Sequence, residues 1–264
     1  SAASDVYKRQ ILVESIIVCL CNCRLEKNAS TLPLMFCIMY DIVFISYEEP
    51  NADKVYKDLK ARFPMAKRVH GVKGIHQAHI AAAKKCFTKM FWVVDGDAKL
   101  KEDFNFDYVA SEWDMDAVHV WRCQNPVNFL EYGHGGIKLL PRQLTIDMDI
   151  THPDMTTSIS NKFFAHEEIS NITAFNTDPF NTWKSAFREC VKLSSRLIRG
   201  QVDEETEMRL MVWCNEGMDK PNGDYAIMGA NAGKKYGEAN QGNKEALFKI
   251  NDFEWLKDQY NAEN

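Results

Sequence analysis

Between Tyr40 and Asp97 the chain alternates two hydrophobic periods. Asp41 to Ser46 is a β-rich apolar run closed by the polar loop Tyr47-Glu48-Glu49-Pro50. Asn51 follows in a helix-capping place, and Val55, Leu59 and Phe63 then recur every four residues. That spacing predicts a helix as far as Phe63, where Pro64 stops it. Ala66 to Val72 reads as a short strand, and Gly74 opens a second helix, Ile75 to Cys86, whose Ala81-Ala82-Ala83 run suits close packing on a sheet. Met90 to Val94 is wholly apolar, the pattern of a strand covered on both faces. A β-α-β-α-β order predicts an α/β, Rossmann-like domain with a mostly parallel sheet flanked by helices.

Beyond residue 100 the signal changes. Strands are predicted over Asp116–Arg122, Gly135–Leu140 and Glu167–Phe175. Residues 179–200 predict a helix with Pro179 in its first turn, Phe180, Trp183, Phe187 and Val191 on one face, and Gly200 after its end. A further helix is expected over Asp203–Cys214. The Gly- and Asn-rich stretch 215–243 reads as looped with one short helix, and 244–260 as a last amphipathic segment. The expected division is a catalytic domain over 39–200 and a helical appendage over 201–264.

Residues 1–38 fit neither period. Ser1 to Gln10 resemble one reading frame of a transposase-derived sequencing adapter, and 11–38 read as an open frame upstream of a start at Met39. Three rival readings are weaker. Glu14 interrupts Ile11–Leu20 as a signal-peptide core, and the run falls short of the roughly 20 apolar residues of a membrane span. Cys19-Leu20-Cys21-Asn22-Cys23 lacks the spacing of a zinc site. The remaining cysteines, Cys86, Cys123, Cys190 and Cys214, are scattered, as buried thiols of a reducing compartment are, so a soluble cytoplasmic protein is expected. A hydrophobic content of 45% and a charged content of 26% are those of a globular chain, and a net charge of −5 disfavours broad capture of nucleic acid. Lys184, Arg188, Lys192, Arg196 and Arg199 form a stripe that is either a solvated face or a local groove for an anionic acceptor such as DNA.

The candidate chemistry centres on Val93-Val94-Asp95-Gly96-Asp97. Asp95 and Asp97 stand just past a buried strand, where open α/β sheets bind ligands. Two hard oxygen ligands there suit Mg²⁺ or Mn²⁺ bridging to phosphates. The plainer alternative is an Asp-Gly-Asp turn.

Gly71-Val72-Lys73-Gly74-Ile75-His76-Gln77-Ala78-His79-Ile80-Ala81-Ala82-Ala83, followed by Phe91-Trp92-Val93-Val94-Asp95-Gly96-Asp97-Ala98, resembles the family 2-like glycosyltransferases of the GT-A fold. The stretch from Met39 is also similar to proteins of tailed marine phages. The resemblance is strong over residues 40–100, loose to 190 and absent afterwards. It implies that Ser46, Tyr47, Glu48 and Glu49 hold the nucleoside, Tyr47 stacking on the base or Glu48 bonding it, with Lys73 and Gly74 near the nucleotide. Asp95 would bond the ribose or a metal-bound water, and Asp97 the metal itself. Gly133-His134-Gly135-Gly136 resembles the acceptor-side loop, with His134 touching sugar or metal, although a plain hairpin fits as well. His152 and His166 are weaker metal candidates. The general base is expected at Asp154 by order along the chain, with Glu167-Glu168 and Asp178 as competitors. The family's acidic pair is missing there, which leaves the stereochemical outcome open. Arg188 would pair with phosphate, and Trp183 is either a sugar platform or a core residue.

The expected activity is metal-dependent transfer of a sugar from a nucleoside diphosphate to a hydroxyl. The acceptor would be a glycan, a small molecule or a modified base of viral DNA in an infected host cell. A nucleotidyltransferase is disfavoured by the acidic Glu48-Glu49 loop, and no P-loop pattern occurs. A non-catalytic carbohydrate- or nucleotide-binding protein is the alternative of another class.

Overall fold

The computed structural model describes residues 40–198 and 201–263, apart from the side chain of His134. The leader, Arg199 and Gly200 therefore lie outside the described residues. From Tyr40 onward the chain forms one compact α/β unit. A seven-stranded sheet carries it, in the order β2-β1-β3-β6-β5-β7-β4.

The first strands arise as their pattern predicts. β1 (Asp41–Ser46), β2 (Lys67–His70) and β3 (Met90–Asp95) pair in parallel, with β1 in the middle. Helix α1 (Ala52–Arg62) links β1 to β2, and α2 (Ile75–Lys84) links β2 to β3. The second crossover runs back across the sheet, so right-handed connections must put the two helices on opposite faces. The packing agrees. Ile42, Phe44, Trp92 and Val94 face Leu59 of α1, whereas Val43, Ile45, Phe91 and Val93 face Ala78, Ala82 and Ala83 of α2. Burial on both sides is why β3 has no polar position before Asp95. Trp92 is fully buried and packs on Trp121, Phe104 and Phe106, and truncating such a residue costs about 3–5 kcal/mol.

The rest of the sheet departs from the parallel expectation. β5 (Val118–Gln124), β6 (Glu131–Pro141) and β7 (Phe163–Thr173) add three ladders: β6 runs antiparallel to β3 and β5, and β7 parallel to β5. The short β4 (Ala98–Leu100) pairs antiparallel with β7, so the sheet is mixed rather than mostly parallel. β5 and β6 are joined by a loop too short for a parallel crossover, which requires a dozen or more residues.

β4 follows Asp95 after only two residues, yet it closes the opposite end of the strand order. The sheet must therefore curl until β7 returns beside β3. The Ala174 N–H accordingly bonds the Asp97 carbonyl at 2.7 Å.

Two short helices, α3 (Arg142–Ile146) and α4 (Met155–Ile159), precede β7, and α5 (Pro179–Ser194) follows it. Arg196 then takes a left-handed φ of 56°, ending the helix before the expected residue 200. α6 (Asp203–Asn215) matches its prediction. The stretch read as looped instead holds the 17-residue α7 (Gly223–Ala239), whose Gly229, Gly233 and Gly237 are buried against the backbone of α5. α8 (Lys244–Phe248), a 3-10 turn (Lys249–Asn251) and α9 (Phe253–Glu263) complete the chain. Trp183 is fully buried in this helical cluster, which makes it a core residue and removes it as a sugar platform. None of the described helices is long and apolar enough to cross a membrane.

Candidate functional site

β2 and β3 leave β1 on opposite sides, so a crevice opens past the carboxyl ends of β1 and β3. The curl of the sheet brings the end of β7 and the start of α5 to the same crevice. The result is an open cleft of about 90 Å³. Its lining brings Glu48, Glu49 and Asp97 together with Lys184 and Arg188 of α5, and includes Phe175, Thr177 and Asn181. Phe253 at the start of α9 also lines it and packs its ring on both cations.

Glu49, Lys184 and Arg188 are held in place. The Tyr47 N–H donates to Glu49 Oε2 at 2.7 Å, which folds the Glu49 carboxylate back over Gly96. A side chain at Gly96 would displace that carboxylate from its place. Lys184 Nζ donates to Asn181 Oδ1 at 2.6 Å and lies 4.4 Å from the Phe253 ring centre. Burial, then the neighbouring Arg188, lower the Lys184 pKa against the pull of Glu49, Asp97 and Asp178. Arg188 Nε donates to the Ile250 carbonyl at 2.8 Å and Nη2 to Asn251 Oδ1 at 3.2 Å, so the C-terminal turn is pinned to α5. Burial lowers the Arg188 pKa too, but a guanidinium stays charged.

Of the sequence candidates, Glu48, Asp97 and Arg188 meet in the cleft. Tyr47 is outside its lining but lies edge-on to Phe253 at 6.2 Å. Ser46 does not join them. It is 2% exposed, and its hydroxyl accepts from Arg68 Nε and pairs with His70 Nδ1, both at 3.0 Å. Lys73 reaches outward to Glu254 of α9 at 3.5 Å, and Gly74 takes a φ of 93° at the start of α2, a conformation that favours glycine. Asp95 is bound by Lys138 of β6, whose ammonium donates to both carboxylate oxygens at 2.8 Å. The expected loop Gly133–Gly136 is a bulge in β6, where 134–137 stand opposite Trp121 alone. Gly135 has a φ of 79° there, and the side chain of His134 lies outside the described residues.

Of the four acids expected as general base, Glu167 is exposed on β7 and the other three are engaged in the fold. Asp154 caps α4, accepting from Thr156 Oγ1 at 2.6 Å and the Thr157 N–H at 2.9 Å, and its other oxygen meets Lys192 at 3.1 Å. Burial alone would raise its pKa, but Lys192 and these hydrogen bonds outweigh it and hold the carboxyl well below the usual range. Asp178 caps α5 through the Asn181 N–H and also sits below its usual value. Burial acts in the opposite sense there and is outweighed. Glu168 accepts from Trp121 Nε1 at 3.2 Å, six residues before Ala174 and hence roughly 15–20 Å along β7 from the cleft. The metal candidates of lower rank are also occupied: His152 Nδ1 accepts the Asp154 N–H, and His166 Nε2 pairs with His119 Nδ1 at 3.0 Å.

The basic stripe of α5 resolves into partners within the fold. Lys192 pairs with Asp154 and Arg196 with Asp203 and Glu207, while Lys184 and Arg188 face the cleft. Sequence reasoning missed Lys138 as the partner of Asp95, and Phe253 as a lining residue. Neither Lys138 nor Phe253 carried a sequence signal, because each reaches its place from a distant segment. Among the described residues no group of three His, Cys, Asp or Glu side chains converges as a metal-binding cluster. The chain matches no protein-family profile and no curated protein sequence.

Proposed function

We propose that the cleft binds a nucleoside diphosphate sugar together with Mn²⁺ or Mg²⁺ and transfers the sugar to a hydroxyl, on a fold of GT-A type. The supporting observation is the meeting of Asp97, Glu48 and Glu49 with Lys184 and Arg188 in one cleft at the carboxyl ends of β1 and β3. The two cations suit the diphosphate, the Arg188 fork meeting phosphate oxygens in a fixed plane. The carboxylates suit hydroxyls of the ribose and sugar, and Phe253, with Tyr47 edge-on to it, suits a flat base.

The donor set fits the cation. Mg²⁺ and Mn²⁺ are commonly held by one or two carboxylates plus substrate phosphates, so Asp97 with a diphosphate suffices without a three-residue cage. When bound, the cation offsets charge developing on the departing diphosphate. Glu48, exposed at the cleft, takes the acceptor proton in this reading, since Asp154 and Asp178 are tied as helix caps and held as weak bases. The acceptor is a glycan or small-molecule hydroxyl in preference to DNA, because Lys192 and Arg196 of the basic stripe pair with acids of the fold.

A thermal-shift screen of the chain against UDP, GDP, ADP, CDP and TDP and their sugars, with and without Mn²⁺, tests this. One nucleotide at a hundred times its Kd stabilises by about 2.7 kcal/mol. For a chain of this size that is a rise of about 5–10 °C. Arg188→Met and Lys184→Met should abolish the rise. A folded sample that responds to no nucleotide sinks the proposal.

A further inference from the structure

Lys138 is a buried cation that the proposed reaction does not use. It lies on β6 opposite Val93, with its side chain 3% exposed. Its ammonium donates to both oxygens of Asp95 and to the carbonyl of Gly135 in the β6 bulge, which uses all three of its N–H donors. His79 of α2 lies near this pair. Its Nδ1 donates to the Ile75 carbonyl at 2.8 Å, which leaves Nε2 as a buried lone pair without a partner. That imidazole is neutral, its pKa lowered to about 4 by burial and then by Lys138, so it leaves the charge of the pair unchanged.

The cleft and this pair together hold four carboxylates, Glu48, Glu49, Asp95 and Asp97, against three cations, Lys138, Lys184 and Arg188. One charge short of neutral, the site attracts a bare divalent cation weakly, and Asp95 is already taken. A nucleoside diphosphate sugar brings two further negative charges and phosphate oxygens as ligands. We infer that Lys138 is a positioning residue that holds Asp95 against a divalent cation, so that bare cation binds weakly and the donor's diphosphate supplies the missing ligands. This rests on the donor and cation proposed above, and it removes Asp95 from the direct ligand set.

Mn²⁺ binding to the full chain, followed through the resonance signal of the free ion, tests it without any activity assay. Lys138→Met should tighten Mn²⁺ binding tenfold or more in the absence of nucleotide. In the native background, Asp95→Asn should leave Mn²⁺ binding with nucleotide within about twofold, since Asn still accepts from Lys138. Equal Mn²⁺ affinity in Lys138→Met and the native protein overturns the inference. If Lys138→Met does not fold, Asp95→Asn decides: a tenfold loss shows Asp95 to be a ligand and overturns it. A gain in Lys138→Met with no effect of any of the five nucleoside diphosphates supports the hold on Asp95 and refutes the donor assignment.

Discussion

Gly233→Ala should destabilise the protein, although alanine is the better helix former. Gly233 lies in the middle of α7, where replacing glycine by alanine ordinarily gains about 1 kcal/mol. The structure reverses that sign. A Cβ at Gly233 would stand 2.9 Å from both the carbonyl carbon and the Cα of Phe187, and closer still to its oxygen. Carbon atoms rest at about 3.5–4.0 Å, so α5 and α7 must part by about 1 Å. Backbone cannot rotate aside as a side-chain tip can.

A gap of that size forfeits a quarter to a half of the dispersion energy along the seam. Overpacking of this kind costs about 1–3 kcal/mol, here at the upper end, and the propensity gain offsets about one of these. The net loss is about 2 kcal/mol, a fall in Tm of about 4–8 °C for a chain of this length. Thermal denaturation followed by circular dichroism measures it, with Lys235→Ala on the exposed face of the same helix as the near-neutral control. A Gly233→Ala protein that melts at or above the native temperature refutes the backbone-to-backbone seam. Because α5 carries Lys184 and Arg188, the variant should also lose part of its nucleotide-induced rise in Tm.

Other outcomes follow from the titrating groups and caps. Lys192→Met strips the buried Asp154 of its counter-ion and should cost about 2 kcal/mol at pH 7, measured by urea denaturation. The folded Asp154 pKa lies below its unfolded value, so its contribution is complete above about pH 4 and lost as pH falls through the folded value. The acid midpoint of Lys192→Met should therefore move up, and an unmoved midpoint removes the pair from the account. Asp154→Asn keeps a capping side chain and should retain most of the proposed transferase activity, whereas a thousandfold loss would restore Asp154 as general base. Burial first lowers the pKa values of His76, His79, His119 and His166, so their stabilising share is full above about pH 6.5 and is lost as pH falls. His79→Gln should flatten the fall in Tm between pH 6.5 and 4, and an unchanged slope would reject a buried neutral His79.

Elements governed by local pattern were legible. β1 runs over Asp41–Ser46 as read, because an apolar run bounded by a polar loop has one stable fate beside other strands. α1, α2, β3, α5 and α6 each begin within a residue of their predicted starts, where Pro179, Gly74 or an apolar period marks them. α7 was hidden by its own glycines, which signal a loop when read locally. They serve instead as the smooth face on which α5 packs, a reason that exists only once α5 is in place. Arg188 and Asp97 were legible as site candidates and both line the cleft, but Asp154 and Asp178 were not legible as caps, since a carboxylate before a helix and a catalytic carboxylate look alike in sequence.

What the sequence determined by itself is the parallel core β1-α1-β2-α2-β3 and the pair of aspartates at its carboxyl end. These depend on neighbours a few residues apart, through helix and strand periods and the hydrophobicity of a doubly covered strand. Only the tertiary structure decided the mixed order of the later strands, the hold of Lys138 on Asp95 across 43 residues, and the arrival of Arg188 and Phe253 in one cleft with Asp97. Those arrangements follow from the curl that returns β7 to β3 and from helices meeting at glycine. Both are settled by burial and backbone hydrogen bonding between segments that share no local pattern.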